Sequence, residues 1–246
     1  LVPVTFPELL RVPQEDSQNY IVSSALSVIR WAAVLLALAL PAFYTAIAMY
    51  HQEMIPTQLL LSVISSKQDV PFSTALELIG MLVAFELLQE AGLRLPDPIG
   101  DTVSIIGALI VGQSAVEAKV ISPIAVIVVA TAGIAGYAQP SQDLGAALRI
   151  SRFALVLAAI AAGLYGVVIS LCFFVWYLCT LDSFGRNYTA PWSGGRRHNL
   201  VRTFLRRPLP EEKMREPELN TPDSGIEQDG AECRCSDSAQ REASDI

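Results

Sequence analysis

Long apolar runs separated by short polar stretches set the plan of this chain. From Ile21 to Tyr50 Arg30 is the single charge. That length predicts a helix able to cross the roughly 30 Å hydrocarbon core of a bilayer. Within it Ala33, Ala37, Pro41 and Thr45 recur every four residues. Small side chains on one face let a neighbouring helix approach closely, and Pro41 predicts a kink. His51 to Pro71 is polar-edged, with a short interfacial helix expected over Thr57 to Ser65. Ser73 to Ala91 reads as a helix, with Ser73 or Thr74 as N-cap and Gly92 as its stop. Two shorter apolar helices are expected over Ile99–Ala115 and Val120–Ala138, the second opened by Ser122 and Pro123. Gln139 to Ser151 reads as a polar loop carrying Arg149. Phe153 to Cys179, uncharged throughout, is the strongest span. At about 1.5 Å per residue it is roughly 40 Å long, so tilt or an interfacial end must absorb the excess.

The pattern predicts an all-α integral membrane protein, a polytopic helical bundle of about four to five spans. The short link between the segments at 99–115 and 120–138 leaves open whether the first spans or is re-entrant. Four domains follow: a lead-in over 1–20, a membrane domain over 21–180, a basic juxtamembrane segment over 181–207 and a disordered acidic tail over 208–246.

Between the helix ending near Ala91 and the one starting at Ile99, Pro96 and Pro98 stand two apart. Each lacks an N–H and pushes the preceding residue away from helical geometry. Gly92, Pro96, Pro98 and Gly100 therefore mark a helix break or hinge. Irregular backbone at membrane depth is tolerated only against protein or a watery cavity. The helix before the break carries Glu77, Glu86 and Glu90. Ten Leu, Ile, Val or Phe residues from Leu76 to Leu95 favour insertion by about 3–6 kcal/mol, and each central carboxylate opposes it by roughly 2.5–3.5 kcal/mol. The sum is near zero, so this helix needs a partner or water. Glu86, Glu90 and Arg94 share a face. They read either as an ion-paired stripe near the interface or as a wet, cation-attracting surface inside an assembly. Glu77 reads as interfacial. Further small-residue stripes are Ser104, Ala108 and Gly112, and Ala158, Ala162 and Gly166. Helices with such faces suit a tightly packed, oligomeric membrane domain.

Composition agrees: 52% of the 246 residues are hydrophobic. The net charge of −7 is unevenly placed. Residues 186–207 hold Arg186, Arg196, Arg197, Arg202, Arg206 and Arg207 with no acid. Arginines after an apolar span predict a cytoplasmic C-terminal side. Nucleic-acid binding is a poor alternative, because no matching fold accompanies the arginines. Cys172 and Cys179 lie in an apolar helix and are expected to pack. Cys233 and Cys235 have no partner pair for a zinc site. No phosphate loop, histidine-based metal spacing or nucleophile–base set is present, so no catalytic residue, metal or cofactor is assigned. The chain opens on Leu1 and reads as a fragment or processed chain.

Four stretches carry a family resemblance: His51-Gln52-Glu53-Met54-Ile55-Pro56-Thr57, Val70-Pro71-Phe72, Phe85 through Pro96, and Ile106 through Ala118. With Val120-Ile121-Ser122-Pro123 and Ser183-Phe184-Gly185, they resemble the membrane half of the GerA-family spore germination proteins, over about residues 1–192. These are the A subunits of bacterial spore nutrient receptors. The resemblance implies a multi-pass subunit of the spore inner membrane, working with a permease-like B subunit and a lipoprotein C subunit and oligomerising around an ion-conducting path. Members usually carry a large soluble N-terminal domain, so residues 1–20 read as the remnant of a link to it. On this reading Glu86, Glu90, Gln113 and Glu117 are the pore-lining candidates. A secondary transporter for a small solute is the alternative, since broken helices near mid-membrane also form substrate sites. A purely structural partner is a third.

Overall fold

Tyr20–Tyr50 forms one long helix (α2) because its apolar run contains no glycine and opens on Asn19, whose side chain accepts a hydrogen bond from the Ile21 N–H. The structure, a computed structural model, describes residues 5–12, 19–93, 107, 110–183 and 186–189. The described chain is mostly helical. α2 continues through Pro41, and Thr45 Oγ1 donates to the Pro41 carbonyl at 2.8 Å. Ala33, Ala37, Pro41 and Thr45 are all buried, so the small-residue face of α2 is the one turned into the bundle.

Before α2, Phe6–Leu9 makes a single helical turn (α1), held by the Thr5 N–H donating to Glu8 Oε2 at 2.8 Å. The sequence predicts an extended or interfacial lead-in here; the described part is docked instead. Phe6 and Leu10 are buried, the Phe6 ring meets Trp31 edge-on at 5.5 Å, and Arg30 Nη1 donates to the Leu10 carbonyl at 2.7 Å. After α2 come Thr57–Lys67 (α3), with no buried residue, and Thr74–Leu93 (α4). Residues 110–117 are helical (α5), followed by Pro123–Tyr137 (α6) and Gln142–Thr180 (α7).

Glycines report how closely these helices meet. A Cβ at Gly133 of α6 would fall 2.3 Å from the Phe85 ring of α4. One at Gly112 would fall 3.0 Å from Val126 and 3.6 Å from Met81. One at Gly107 would lie 3.1 Å from Leu88. Residue 107 thus faces residue 88 and residue 112 faces residue 81, so α5 runs opposite to α4, and α6 runs back beside α4. In lipid an exposed leucine is as content as a buried one, so such close approach, not transfer from water, holds helices together. Gly133→Val is expected to force the Phe85 ring aside and cost about 1–3 kcal/mol, read as a lower unfolding midpoint in nanodiscs.

α7 departs most from expectation. The stretch read as a loop over 139–151 is helical from Gln142 onward. The single span expected over 153–179 is broken at Ala162 (φ −136°, ψ 15°) and Gly163 (φ 60°, ψ −143°). In a straight helix residues eight apart are separated by roughly 12 Å along the axis. Here a Cβ on Gly166 would stand 2.2 Å from the Ala158 carbonyl oxygen. The chain therefore folds back, giving a first arm over 142–161 and a second over 164–180. Tyr50 closes the turn: its hydroxyl donates to the Ile160 carbonyl at 2.6 Å, and its ring lies against Gly163. The far end confirms the reversal. The Tyr188 N–H donates to the Leu181 carbonyl, its carbonyl accepts from the Phe6 N–H, and its ring lies tilted 6.0 Å from the Phe6 ring, which also meets Trp31. Excess length is taken up by a turn and not by tilt. Tyr50→Phe is expected to cost about 1 kcal/mol, the usual net worth of one such hydrogen bond, in the same unfolding assay.

A two-residue antiparallel pairing, Asp182↔Asn187 and Ser183↔Arg186, closes the described chain. One hydrophobic core joins Phe6 and Leu10 to Leu38, Leu78, Met81, Val129 and Val156. Cys172 and Cys179, expected to pack, are exposed on the second arm. Pro96, Pro98, Gly100, Ser104 and Ala108 lie outside the described residues, as do Cys233, Cys235, most of the basic segment and the acidic tail.

Candidate functional site

Two polar clusters sit inside this apolar bundle, one at each level. The end holding α1, Trp31 and Tyr188 is the base. The end holding Tyr50, the α7 turn and the starts of α4 and α6 is the head.

At the head is Glu77, in the first turn of α4. Its side chain has no solvent exposure. The sequence reading leaves it interfacial; it is instead enclosed by protein. Oε2 accepts the Ser122 N–H at 3.2 Å. Ser122 is the N-cap of α6, so the carboxylate sits at a helix start, where free N–H groups and the helix dipole favour negative charge. Lys67, at the end of α3, brings Nζ to 3.9 Å from Oε1 and donates to the Thr74 hydroxyl. Burial pushes the Lys67 ammonium below its usual pKa, and the Glu77 charge opposes that shift. Tyr44 of α2 lies beside Ser122 and Glu77. On the surface nearby, Lys119, at φ 56°, binds Asp69 at 2.6 Å.

Nearer the base is Glu86. Arg149 Nε approaches Oε1 at 3.3 Å, and Arg152 Nη2 approaches Oε2 at 3.6 Å. Arg152 is buried, at 2% exposure. Residues 149 and 152 are three apart, so a helix puts both on one side, which is how the first arm of α7 answers the carboxylate that α4 could not carry alone. Assigning 139–151 to a loop hid this spacing.

The four pore-lining candidates do not converge. Glu86 is engaged by two arginines. Glu90, one turn on, is exposed. Gln113 and Glu117 are exposed on α5, with Gln113 Nε2 donating to Glu117 Oε1 at 3.1 Å. Because α5 runs opposite to α4, Glu117 lies near the head and Glu90 near the base, about 20 Å apart along the bundle at 1.5 Å per residue. Gly92 is buried in the last turn of α4, and Gly112 is wedged between α4 and α6. Ala158, Ala162 and Gly166 meet one another across the α7 turn. Among the described residues no group of three or more His, Cys, Asp or Glu is placed to hold a metal ion.

The helix Tyr20–Tyr50 and the folded-back segment Asp143–Thr180 are long and apolar enough to cross a membrane. They suit a helical protein of membrane type. Comparison with known proteins narrows this. The profile of the Bacillus/Clostridium GerA spore germination protein family matches residues 1–218. An uncharacterised membrane protein of Bacillus subtilis (strain 168), YfkQ, is 38% identical over 84% of this chain and 40% of its own length. Spore germination protein B1 of the same organism is 36% identical over 93% of this chain and 47% of its own. Spore germination protein GerLA of Bacillus cereus is 34% identical over 92% and 46%. The chain belongs to the GerA family. It spans less than half the length of these relatives. No solved structure matches the chain.

Proposed function

We propose that this chain is the membrane portion of a germinant-receptor A-type subunit, acting in nutrient-triggered spore germination by forming or gating a path for ion release. The family match over residues 1–218 carries the reading. The bundle supports it: the chain alternates in direction through α2, α4, α5, α6 and the two arms of α7, the course expected of a multi-pass protein. With the α7 turn counted, the course favours one passage more than the sequence alone suggests. Both ends of the described chain then share one side, and the arginines over 186–207 favour the cytoplasm for it. The spore inner membrane, a permease-like B subunit, a lipoprotein C subunit and further copies of this chain are the partners this reading entails.

Glu86 is the weakest pore candidate, because two guanidinium groups already answer its charge. Glu90 and Glu117, both exposed, are better suited to attract cations across a subunit interface. The pore reading predicts that Glu90→Gln or Glu117→Gln lowers cation selectivity in the assembled receptor. Unchanged selectivity and conductance in both would remove these residues from the path. The wider proposal is tested by cation release from spores with and without the full-length gene, exposed to a panel of nutrients. Loss of release to one nutrient is the expected outcome. Normal release to every nutrient, with altered solute uptake in growing cells, would favour a transporter.

A further inference from the structure

The head cluster has more oxygen than its own hydrogen bonds use. Glu77 Oε1, Ser122 Oγ and Tyr44 Oη are each buried; the Tyr44 and Ser122 hydroxyls lie within reach of each other, and Oε1 has no hydrogen bond, only the Lys67 ammonium at 3.9 Å. Ser122 is fully buried, and Tyr44 lies beside it, close enough to Glu77 to feel its charge. Thr74 Oγ1 is drawn into the same group through Lys67. These oxygens come from three separate parts of the chain: α2, the start of α4 and the start of α6. Ser122 N–H anchors the carboxylate through Oε2, which leaves Oε1 spare.

We propose that Glu77, Ser122, Tyr44 and Thr74 form a binding site for a monovalent cation such as K⁺ or Na⁺, at which the Lys67 ammonium acts as a tethered competitor. Oxygen-only donors suit hard cations, not softer transition metals. A single carboxylate sets the charge. A monovalent ion leaves the buried site neutral, whereas a divalent one leaves a net positive charge with little water to screen it. Asp69, the preceding acid in the sequence, is exposed and bound to Lys119. Lys67 does not fill the site. Its Nζ stays 3.9 Å from Oε1, and its side chain remains 22% exposed. A free ion can come closer because no stem holds it back. When it does, Lys67 is displaced, and α3, which buries none of its own residues, loses a tie to α4. The site stands whether or not the chain conducts ions.

The test is thermal unfolding of the full chain in lipid nanodiscs, titrated with KCl or NaCl against N-methyl-D-glucamine chloride at constant ionic strength, with CaCl₂ as a further arm. A saturable rise in midpoint with K⁺ or Na⁺ is expected. Glu77→Gln should weaken the apparent affinity at least tenfold. Lys67→Gln, by removing the competitor, should tighten it several-fold. Should Glu77→Gln fail to fold, Tyr44→Phe and Ser122→Ala serve instead, each weakening the affinity several-fold. No difference between the alkali ions and N-methyl-D-glucamine overturns the proposal. So does ion dependence that survives Glu77→Gln or both substitute variants unchanged, stabilisation by Ca²⁺ alone, or a Lys67→Gln variant with weaker binding.

Discussion

Gly166→Leu is expected to undo the folded-back course of α7. The atoms in the way are backbone: a Cβ there would lie 2.2 Å from the Ala158 oxygen and 2.9 Å from its carbonyl carbon. Flexible side chains can swing aside; a carbonyl in the opposing arm can yield only if the arms separate. Overpacking of an ordinary core costs about 1–3 kcal/mol. A clash with fixed backbone at the tightest point of a hairpin lies at or above the upper end, so a loss of roughly 3 kcal/mol or more is expected. Unfolding midpoints in nanodiscs give the size. Cross-linking between single cysteines placed on the two arms gives the cause, since the wild-type arms should link efficiently and those of the variant should not. Gly136→Ala and Gly145→Ala are the controls. Nothing lies within 4 Å of a Cβ at either site, so both should be neutral or stabilise by up to about 1 kcal/mol, because alanine is the better helix former. A Gly166→Leu chain as stable as wild type would mean that α7 does not fold back.

The second large effect concerns the base cluster. Glu86→Leu removes the carboxylate that Arg149 and Arg152 approach, leaving the buried Arg152 guanidinium without its partner. Breaking a fully buried ion pair costs about 3–5 kcal/mol. Glu86 keeps 29% of its side-chain exposure, so about 2–4 kcal/mol is the expected loss. Glu86→Leu combined with Arg152→Met should recover much of it, because both desolvated charges go together. A double-mutant cycle reads the coupling directly. If the single and double variants were equally unstable, the pair would be incidental. If Glu86→Leu left stability untouched, Glu86 would return as a pore candidate.

The helices were legible because their signals are local. Apolar run length, the Ser122-Pro123 start and the four-residue spacing of Ala33, Ala37, Pro41 and Thr45 can all be read without knowing what lies opposite. The need of α4 for a partner was also legible, since its carboxylates offset its apolar residues. Which partner was not. That depends on Arg149 and Arg152 standing on a helix face, and a polar stretch before a strong apolar run reads as a loop when its amphipathic spacing is overlooked. The α7 turn was hidden for the opposite reason. Ala158, Ala162 and Gly166 form the same small-residue stripe whether another helix packs on them or the chain doubles back onto itself. Only the positive φ at Gly163 separates the two, and glycine in an apolar run does not announce its conformation. The enclosure of Glu77 was not legible, because it is set by Ser122, 45 residues on, and by Lys67, on a separate helix.

The hydrogen bond from Phe6 to Tyr188 has a mechanical consequence. It ties the first described turn of the chain to the last, with Trp31 against the same ring. The two ends of the described chain are therefore fastened to each other at the base, beside the start of α2. Tension applied upstream of Thr5 and tension applied downstream of Thr189 arrive at the same fastening and pull on the same end of α2. A force from either direction is therefore felt first at the same place.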